Sequence, residues 1–499
     1  MNTKEFLKIS EQFKLGELDT EKPHPLTVGL SDQTKLNLND AIETFKKVDL
    51  HALDVLVNSF GSIEKLQQDI QKTIHDGGRV FLCGCGATGR LSLALETISY
   101  QVKKLEGRVI SFMAGGDVAL IRSIEKFEDY PEYGKRQLLE LGFGEKDLLI
   151  AITEGGETPF VIGACETASK LSKYSPYFCY CNPDEILLKK VERSKRVIEN
   201  KKIKKLNLSH GPQALSGSTR LQCSTVLMAA VGTALFEEQN SINSSLSHLK
   251  DFYQFQSLDF LQDFIIKESG IYQKNEYVNY CTETIFGIDL LTDTTERSPT
   301  FSLTPFENYD VEKDSPSKSY LMMASQKDSS SAWKSLLYRE PRVLEWEETK
   351  DRTGRERLLG FDFSRVGAKK RMIKLDAKSH NFTVSKVDHL ITFTFDELQS
   401  FIDVKGLSLL NQHLIVKMIL NMHSTLLMGR IDRYQSNIMV WVKASNNKLI
   451  DRAARYIDHL LKEKSIKRSY EEIVEEIFKY KDGLAQDQSI VLKVVKELS

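Results

Sequence analysis

The chain has 499 residues, 41% of them hydrophobic, enough for two to four domains with cores of their own. Its 68 basic and 69 acidic residues nearly cancel to a formal charge of -1, which argues against nucleic acid or an anionic membrane as partner. Seven scattered cysteines, an odd number with no disulfide framework, suit a reducing compartment, and neither C-x-C pair (Cys83/Cys85, Cys179/Cys181) has a partner pair at zinc spacing, so no metal is expected.

The first residues are polar, without a secretory core, and the longest apolar run, 226–236, is too short to span a bilayer, so a cytoplasmic location is expected. Residues 1–55 read as a polar helical segment broken by Pro23 and Pro25. Helical spacing follows over 62–76, and 79–83 reads as a short buried strand that runs into a glycine-rich turn and a helix over 91–101. The alternation repeats: strand 108–113, mostly helix over 119–140, strand 147–153, helix 160–172, strand 177–181. Strands separated by helices predict an α/β fold with a parallel doubly wound sheet, whose ligand lies at the C-terminal strand ends. A weaker second unit has strands at 276–281 and 390–395, and its long helix, 407–428, mirrors the one over 217–236. This reads as an internal duplication, with residues 469–498 as an amphipathic helical cap.

Three loops carry the chemistry. GCGATG at 84–89 matches G-x-G-x-x-G between a strand and a helix, where backbone N–H groups and the helix N-terminus favour a phosphate. A dinucleotide would use that turn alone, which keeps a nicotinamide enzyme as a remote alternative. EGGETP at 154–159 and SGSTR at 216–220 are also rich in glycine or hydroxyls and should share its sheet edge. One sugar phosphate ringed by donors uses all three. The second unit's first turn, TETIFG at 282–287, has lost its glycines, and Glu283 adds repulsion, so no second phosphate is expected there.

GCGATGR at 84–90, AGGD at 114–117, IEKFED at 124–129 and GPQALSGSTR at 211–220 together resemble the sugar isomerase (SIS) domain of N-acetylmuramic acid 6-phosphate etherases and of the glucokinase regulatory protein. TEKPHPLT at 20–27, LNMHST at 420–425, NIM at 437–439 and ASNNK at 444–448 extend the resemblance, and only the insert around 303–385 is poorly covered. The etherases have one such domain per chain and dimerise. The regulatory protein has two in tandem, and this sequence resembles that arrangement: a helical segment over 1–55, SIS domains over 56–240 and 241–450, and a cap over 451–499.

The resemblance implies one composite site. TDTTERSPTF at 292–301 matches the segment carrying the etherase acid, which falls on Glu296; Glu96 in the first half is out of register with it. The second catalytic carboxylate falls on Glu128, and a phosphate-binding lysine on Lys417, whose first-half equivalent is Met228. Each half thus keeps what the other has lost. The expected ligand contacts are Gly86, Thr88, Gly89, Gly155, Thr158, Ser216, Ser218, Thr219 and Lys417, with Thr88, Ser218, Thr219 and Lys417 on phosphate.

The implied partner is a phosphorylated hexose or amino sugar, with no cofactor. Two departures bear on the activity: Gly155-Gly156-Glu157 stands where the etherases carry Ser-Gly-Arg, and Gln222 replaces a family lysine. The leading expectation is an etherase-like lyase. The alternative is a non-catalytic sensor that binds a sugar kinase, like the regulatory protein, which also has glycine at the position of Gly155.

Overall fold

The computed structural model describes residues 2–124, 126–238, 240–282, 285–311, 314–444, 446–485 and 488–499. In the first half, β1 (Val80–Gly84), β2 (Val109–Met113), β3 (Leu148–Ile152), β4 (Tyr177–Tyr180) and β5 (Lys204–Asn207) form a wholly parallel sheet in the order β2-β1-β3-β4-β5. The inner strands β1, β3 and β4 are continuous buried apolar runs, as expected of strands covered by helices on both faces. Parallel neighbours need a crossover, and helices Ala87–Gln101, Pro131–Glu140 and Pro159–Leu171 supply it.

The second half repeats this order with one change. β6 (Tyr277–Cys281), β7 (Ser319–Met322), β8 (Ser379–Val387), β9 (Leu390–Phe395) and β10 (Leu398–Asp403) run in the order β10-β9-β8-β6-β7, which superposes on the first sheet as 5-4-3-1-2. β6 is parallel to β7 and β8, but β8, β9 and β10 pair antiparallel. The sequence pattern predicts only two strands here and no hairpins. The reason for the change is length: two residues join β8 to β9 and two join β9 to β10, with Asp388 and Asp396 at positive φ, and such connections close only antiparallel hairpins.

Helices Gln222–Phe236 and Leu409–Arg430 occupy matching places in the two halves and pack against each other. Both are buried along nearly their whole length, so the halves share one continuous hydrophobic core. The three helices Asn447–Glu463, Tyr470–Tyr480 and Ile490–Leu498 pack together at the C-terminal end. Positions 55 and 450 lie inside helices Leu38–Asn58 and Asn447–Glu463. No helix among the described residues is long and apolar enough to cross a membrane.

Two polar ties hold the halves in register. The insert sends Arg339 and Arg342 onto Glu96 (2.9 and 2.8 Å), and Arg339 also reaches Asp117 (2.7 Å). Glu96 is thereby a structural anchor for the insert. Beneath the shared core, buried Arg297 donates to Glu268 (2.7 Å), Asp293 (3.0 Å) and Tyr280 (2.6 Å), while Asp293 also receives Arg220 of the first half (3.1 Å). Removing one partner of a buried pair strands the others. Arg297→Met is therefore expected to cost about 3–5 kcal/mol. Urea titration checks this, and an unchanged midpoint would show that the network is not holding the second half together.

Candidate functional site

β1 ends at Gly84, where an added Cβ would lie 2.3 Å from the Thr88 carbonyl carbon, so only glycine lets the helix start sit on the strand end. Gly86 then takes φ +54 and turns the chain into helix Ala87–Gln101, leaving that N-terminus open. Thr88 closes the turn on itself: Cys85 N donates to Thr88 Oγ1 and Thr88 Oγ1 donates to Cys85 O, both at 2.9 Å. The 154–158 loop leaves β3 on the same edge. The 216–220 loop is held to the second half, where Ser216 N donates to Asn437 O at 2.9 Å, and to the N-terminal segment, where Ser216 Oγ donates to Glu21 O at 2.7 Å.

These loops enclose a cavity of about 220 Å³. Six of the residues singled out in the sequence line it: Gly86, Thr158, Ser218 and Thr219 from the loops, Glu128 from the turn Phe127–Asp129, and Glu296 from the second half. Thr88, Gly89, Gly155, Ser216 and Lys417 stand behind it. Gly89 packs on Met113, the Gly155 carbonyl accepts from Asn182 (3.0 Å), and Lys417 Nζ donates to the carbonyls of Arg220 (3.1 Å) and Leu221 (3.2 Å), to Thr225 Oγ1 (2.6 Å) and to Asn421 Oδ1 (3.0 Å). Lys417 thus fixes the 216–220 loop from below.

The cavity also draws on residues to which the sequence reading gave no role. Arg90 donates to Glu296 at 2.6 Å. Asn446 donates to Glu128 Oε1 at 2.9 Å. Glu154, Arg220, Lys448 and Arg452 complete the wall. ASNNK at 444–448 and the arginines of GCGATGR and SGSTR were visible as motif members, but nothing in their spacing gave them a part. Three buried atoms on this wall, Glu154 Oε1, Ser218 Oγ and Arg220 Nε, have no hydrogen-bond partner in the protein. Buried polar atoms rarely stay unsatisfied, so their convergence on one cavity marks a place built for a polar ligand.

The profile of the glucokinase regulatory protein N-terminal SIS domain matches residues 62–169. The N-acetylmuramic acid 6-phosphate etherase of Picosynechococcus sp. is 31% identical over 221 residues, which cover 43% of this chain and 67% of that protein. The chain belongs to the SIS-domain family of N-acetylmuramic acid 6-phosphate etherase and glucokinase regulatory protein. The etherase of Synechococcus elongatus is also 31% identical, over 42% of this chain and 64% of its own length, so the chain spans just under two thirds of that relative. Among solved structures, the C-terminal domain of glucosamine-fructose-6-phosphate aminotransferase from Francisella tularensis aligns with a TM-score of 0.39 at 9% identity, over 77% of this chain and 95% of that one.

Within this SIS site the departures from the etherase pattern have local compensations. Glu157 is buried. Burial alone would raise its pKa, but Lys448 (2.6 Å) and Arg193 outweigh that and hold it well below the usual carboxylate range. It is therefore engaged by cations and does not line the cavity. Gln222 donates to Asp49 at 2.6 Å, and burial pushes Asp49 up to about 6. Desolvation also raises Glu128, with Lys448 offsetting part of the effect. Burial drops Lys417 to about 7.

In the second half, Asp289 stands in the first turn of helix Gly287–Phe301 and bonds His413 Nδ1 at 2.6 Å, so that helix start carries its own carboxylate. Glu283, expected to repel a phosphate there, lies outside the described residues, as do Glu125 and Ser445 of the quoted motifs. Among the described residues, Cys181, His210 and Cys223 place potential metal ligands within 4.8 Å of one another. Both His210 nitrogens already have protein partners, Leu208 O at 2.9 Å and Gln213 Nε2 at 3.1 Å.

Replacing Lys417 strips two loop carbonyls of their shared donor. Lys417→Met is expected to lower stability by about 1–3 kcal/mol in urea titrations. An unchanged midpoint would mean that the loop keeps its shape without the lysine.

Proposed function

We propose that the chain binds a phosphorylated hexose or amino sugar in this cavity, in one site completed by both halves, and cleaves it as an etherase-like lyase. The observation that carries this reading is the convergence of three unpartnered buried polar atoms, Glu154 Oε1, Ser218 Oγ and Arg220 Nε, on a cavity that also holds two carboxylates. The open N-terminus of helix Ala87–Gln101 with Ser218 and Thr219 supplies phosphate donors, and Lys417 acts on the phosphate by fixing its loop. Glu128 and Glu296 come from different halves and face the same space.

Eliminating a lactyl ether beta to a carbonyl needs one group to take the proton at C2 and another to protonate the departing oxygen. Desolvation raises Glu128, which suits it as the proton donor. Glu296 is then the partner carboxylate, the reverse of the order that the resemblance implies. The pairing of Glu296 with Arg90 favours a second reading: that ion pair leaves the carboxylate less available for proton transfer, as a sensor of sugar phosphate that docks on a sugar kinase would tolerate.

A thermal-shift screen of hexose and amino-sugar phosphates, followed by lactate release from N-acetylmuramic acid 6-phosphate, separates the two. The lyase stabilises and turns over, with Glu128→Gln and Glu296→Gln each losing about 10²–10⁴-fold in rate while affinity changes far less. The sensor stabilises without releasing lactate, and each Gln variant then weakens binding by about 1–3 kcal/mol. Stabilisation by none of these sugars would contradict both.

A further inference from the structure

The arginines lining the cavity and Lys448 are each ion-paired to a carboxylate, while two lining carboxyls, Glu128 and Glu154, have no ion pair among the described residues. Arg90 is taken by Glu296, and Arg220 by Asp293. Lys448 is taken by Glu157 and Arg452 by Glu21. Lys417 is committed to loop carbonyls, the Thr225 hydroxyl and Asn421. Glu128 receives Asn446. Glu154 has no ion pair among the described residues. It is only 8% exposed, and its Oε1 is shut off from solvent with no hydrogen-bond partner.

The backbone holds it there. The Glu154 carbonyl accepts from Cys181 N at 2.9 Å, continuing the β3–β4 edge beyond the strands. The residue therefore cannot leave the cavity wall without breaking the sheet end.

A buried carboxylate without an ion pair is far more costly than a buried carboxylic acid. We propose that Glu154 is a specificity-determining residue of the sugar-phosphate site: as a neutral acid it donates its O–H to an acceptor oxygen of the bound ligand. The inference rests on the sugar-phosphate reading given above. A neutral donor can sit beside a phosphorylated sugar, whereas a carboxylate in the same place repels it. Burial pushes Glu154 up to about 8, with its own backbone N–H offsetting part of the effect, the Glu296 charge adding to it, and Lys448 and Lys417 opposing it. The charged groups around it are Glu296 with Arg90 on helices Gly287–Phe301 and Ala87–Gln101, Lys448 and Arg452 on helix Asn447–Glu463, Lys417 on helix Leu409–Arg430, Arg220 on its loop, and Glu128 on the turn Phe127–Asp129.

The sign follows from the proton. Binding that requires protonated Glu154 is fully present well below pH 8, half lost near pH 8, and falls about tenfold per unit well above it. The second phosphate ionisation, near pH 6, lies outside that window.

The test is calorimetry with glucose 6-phosphate and N-acetylmuramic acid 6-phosphate from pH 7 to 9.5, on the wild type, Glu154→Gln and Glu154→Ala, with melting temperatures confirming that each is folded. The wild type should lose affinity above pH 8. Glu154→Gln, which keeps a donor that cannot ionise, should lose clearly less across the range, keeping only the slope that Lys417 gives to both proteins. Glu154→Ala should bind on the order of tenfold more weakly at pH 7 and show the same shallow slope as Glu154→Gln. The difference between wild type and Glu154→Gln removes the contribution of Lys417, which both share. A flat wild-type profile, or the same slope in Glu154→Gln, overturns the proposal alone. A wild type that binds neither sugar at any pH overturns the sugar-phosphate reading and this proposal with it.

Discussion

Arg220 stands on the loop of the first half and donates to Asp293 on a helix of the second. Asp293 is in turn held by Arg297, and burial, which alone would raise its pKa, is outweighed by these two arginines. Both ends of the pair are almost fully buried, where an unpaired charge would be prohibitive. The 216–220 loop is therefore not free to choose its position. It sits where the second half's helix puts it, with Lys417 gripping its carbonyls from the same half. Everything that lines the cavity inherits this constraint, because Ser218 and Glu296 line one cavity only while the loop is pinned.

The two sheets share a strand order, and the two long buried helices share a place, yet the halves have diverged in opposite directions. The first keeps its helical crossovers, its glycine turn at 84–89 and Glu128. The second has exchanged two crossovers for hairpins and filled its helix start with Asp289 and His413, while keeping Glu296 and Lys417. The insert that departs most from the first half is also what clamps the halves, through Arg339 and Arg342. These observations support one site assembled across the duplication rather than two independent ones.

The parallel core of the first half was legible because β1, β2 and β3 are short apolar runs between helical patterns, and buried strands have that signature. β5 was not, because it is only four residues at a sheet edge, opens on two adjacent lysines and reads as a basic patch. β8 and β10 were missed for a related reason, since two-residue turns onto β9 set their antiparallel pairing, while β7 is buried but only four residues long and lies inside the insert. In the site, motif resemblance found Glu128, Glu296, Ser218 and Thr219, which share the cavity. It could not show that Lys417 lies beneath the loop, nor that Lys448 answers Glu157, because both facts depend on contacts across 192 to 291 residues of chain. Glu154 was equally hidden, since only the contacts of its neighbours reveal that its Oε1 has no hydrogen-bond partner.

Isothermal titration with N-acetylmuramic acid 6-phosphate or glucose 6-phosphate, whichever stabilises the chain more, tests the central claim through stoichiometry. A composite site built from complementary halves predicts one ligand bound per chain. A stoichiometry near two would show that the second half's turn still binds phosphate, and would contradict a single site shared between the halves.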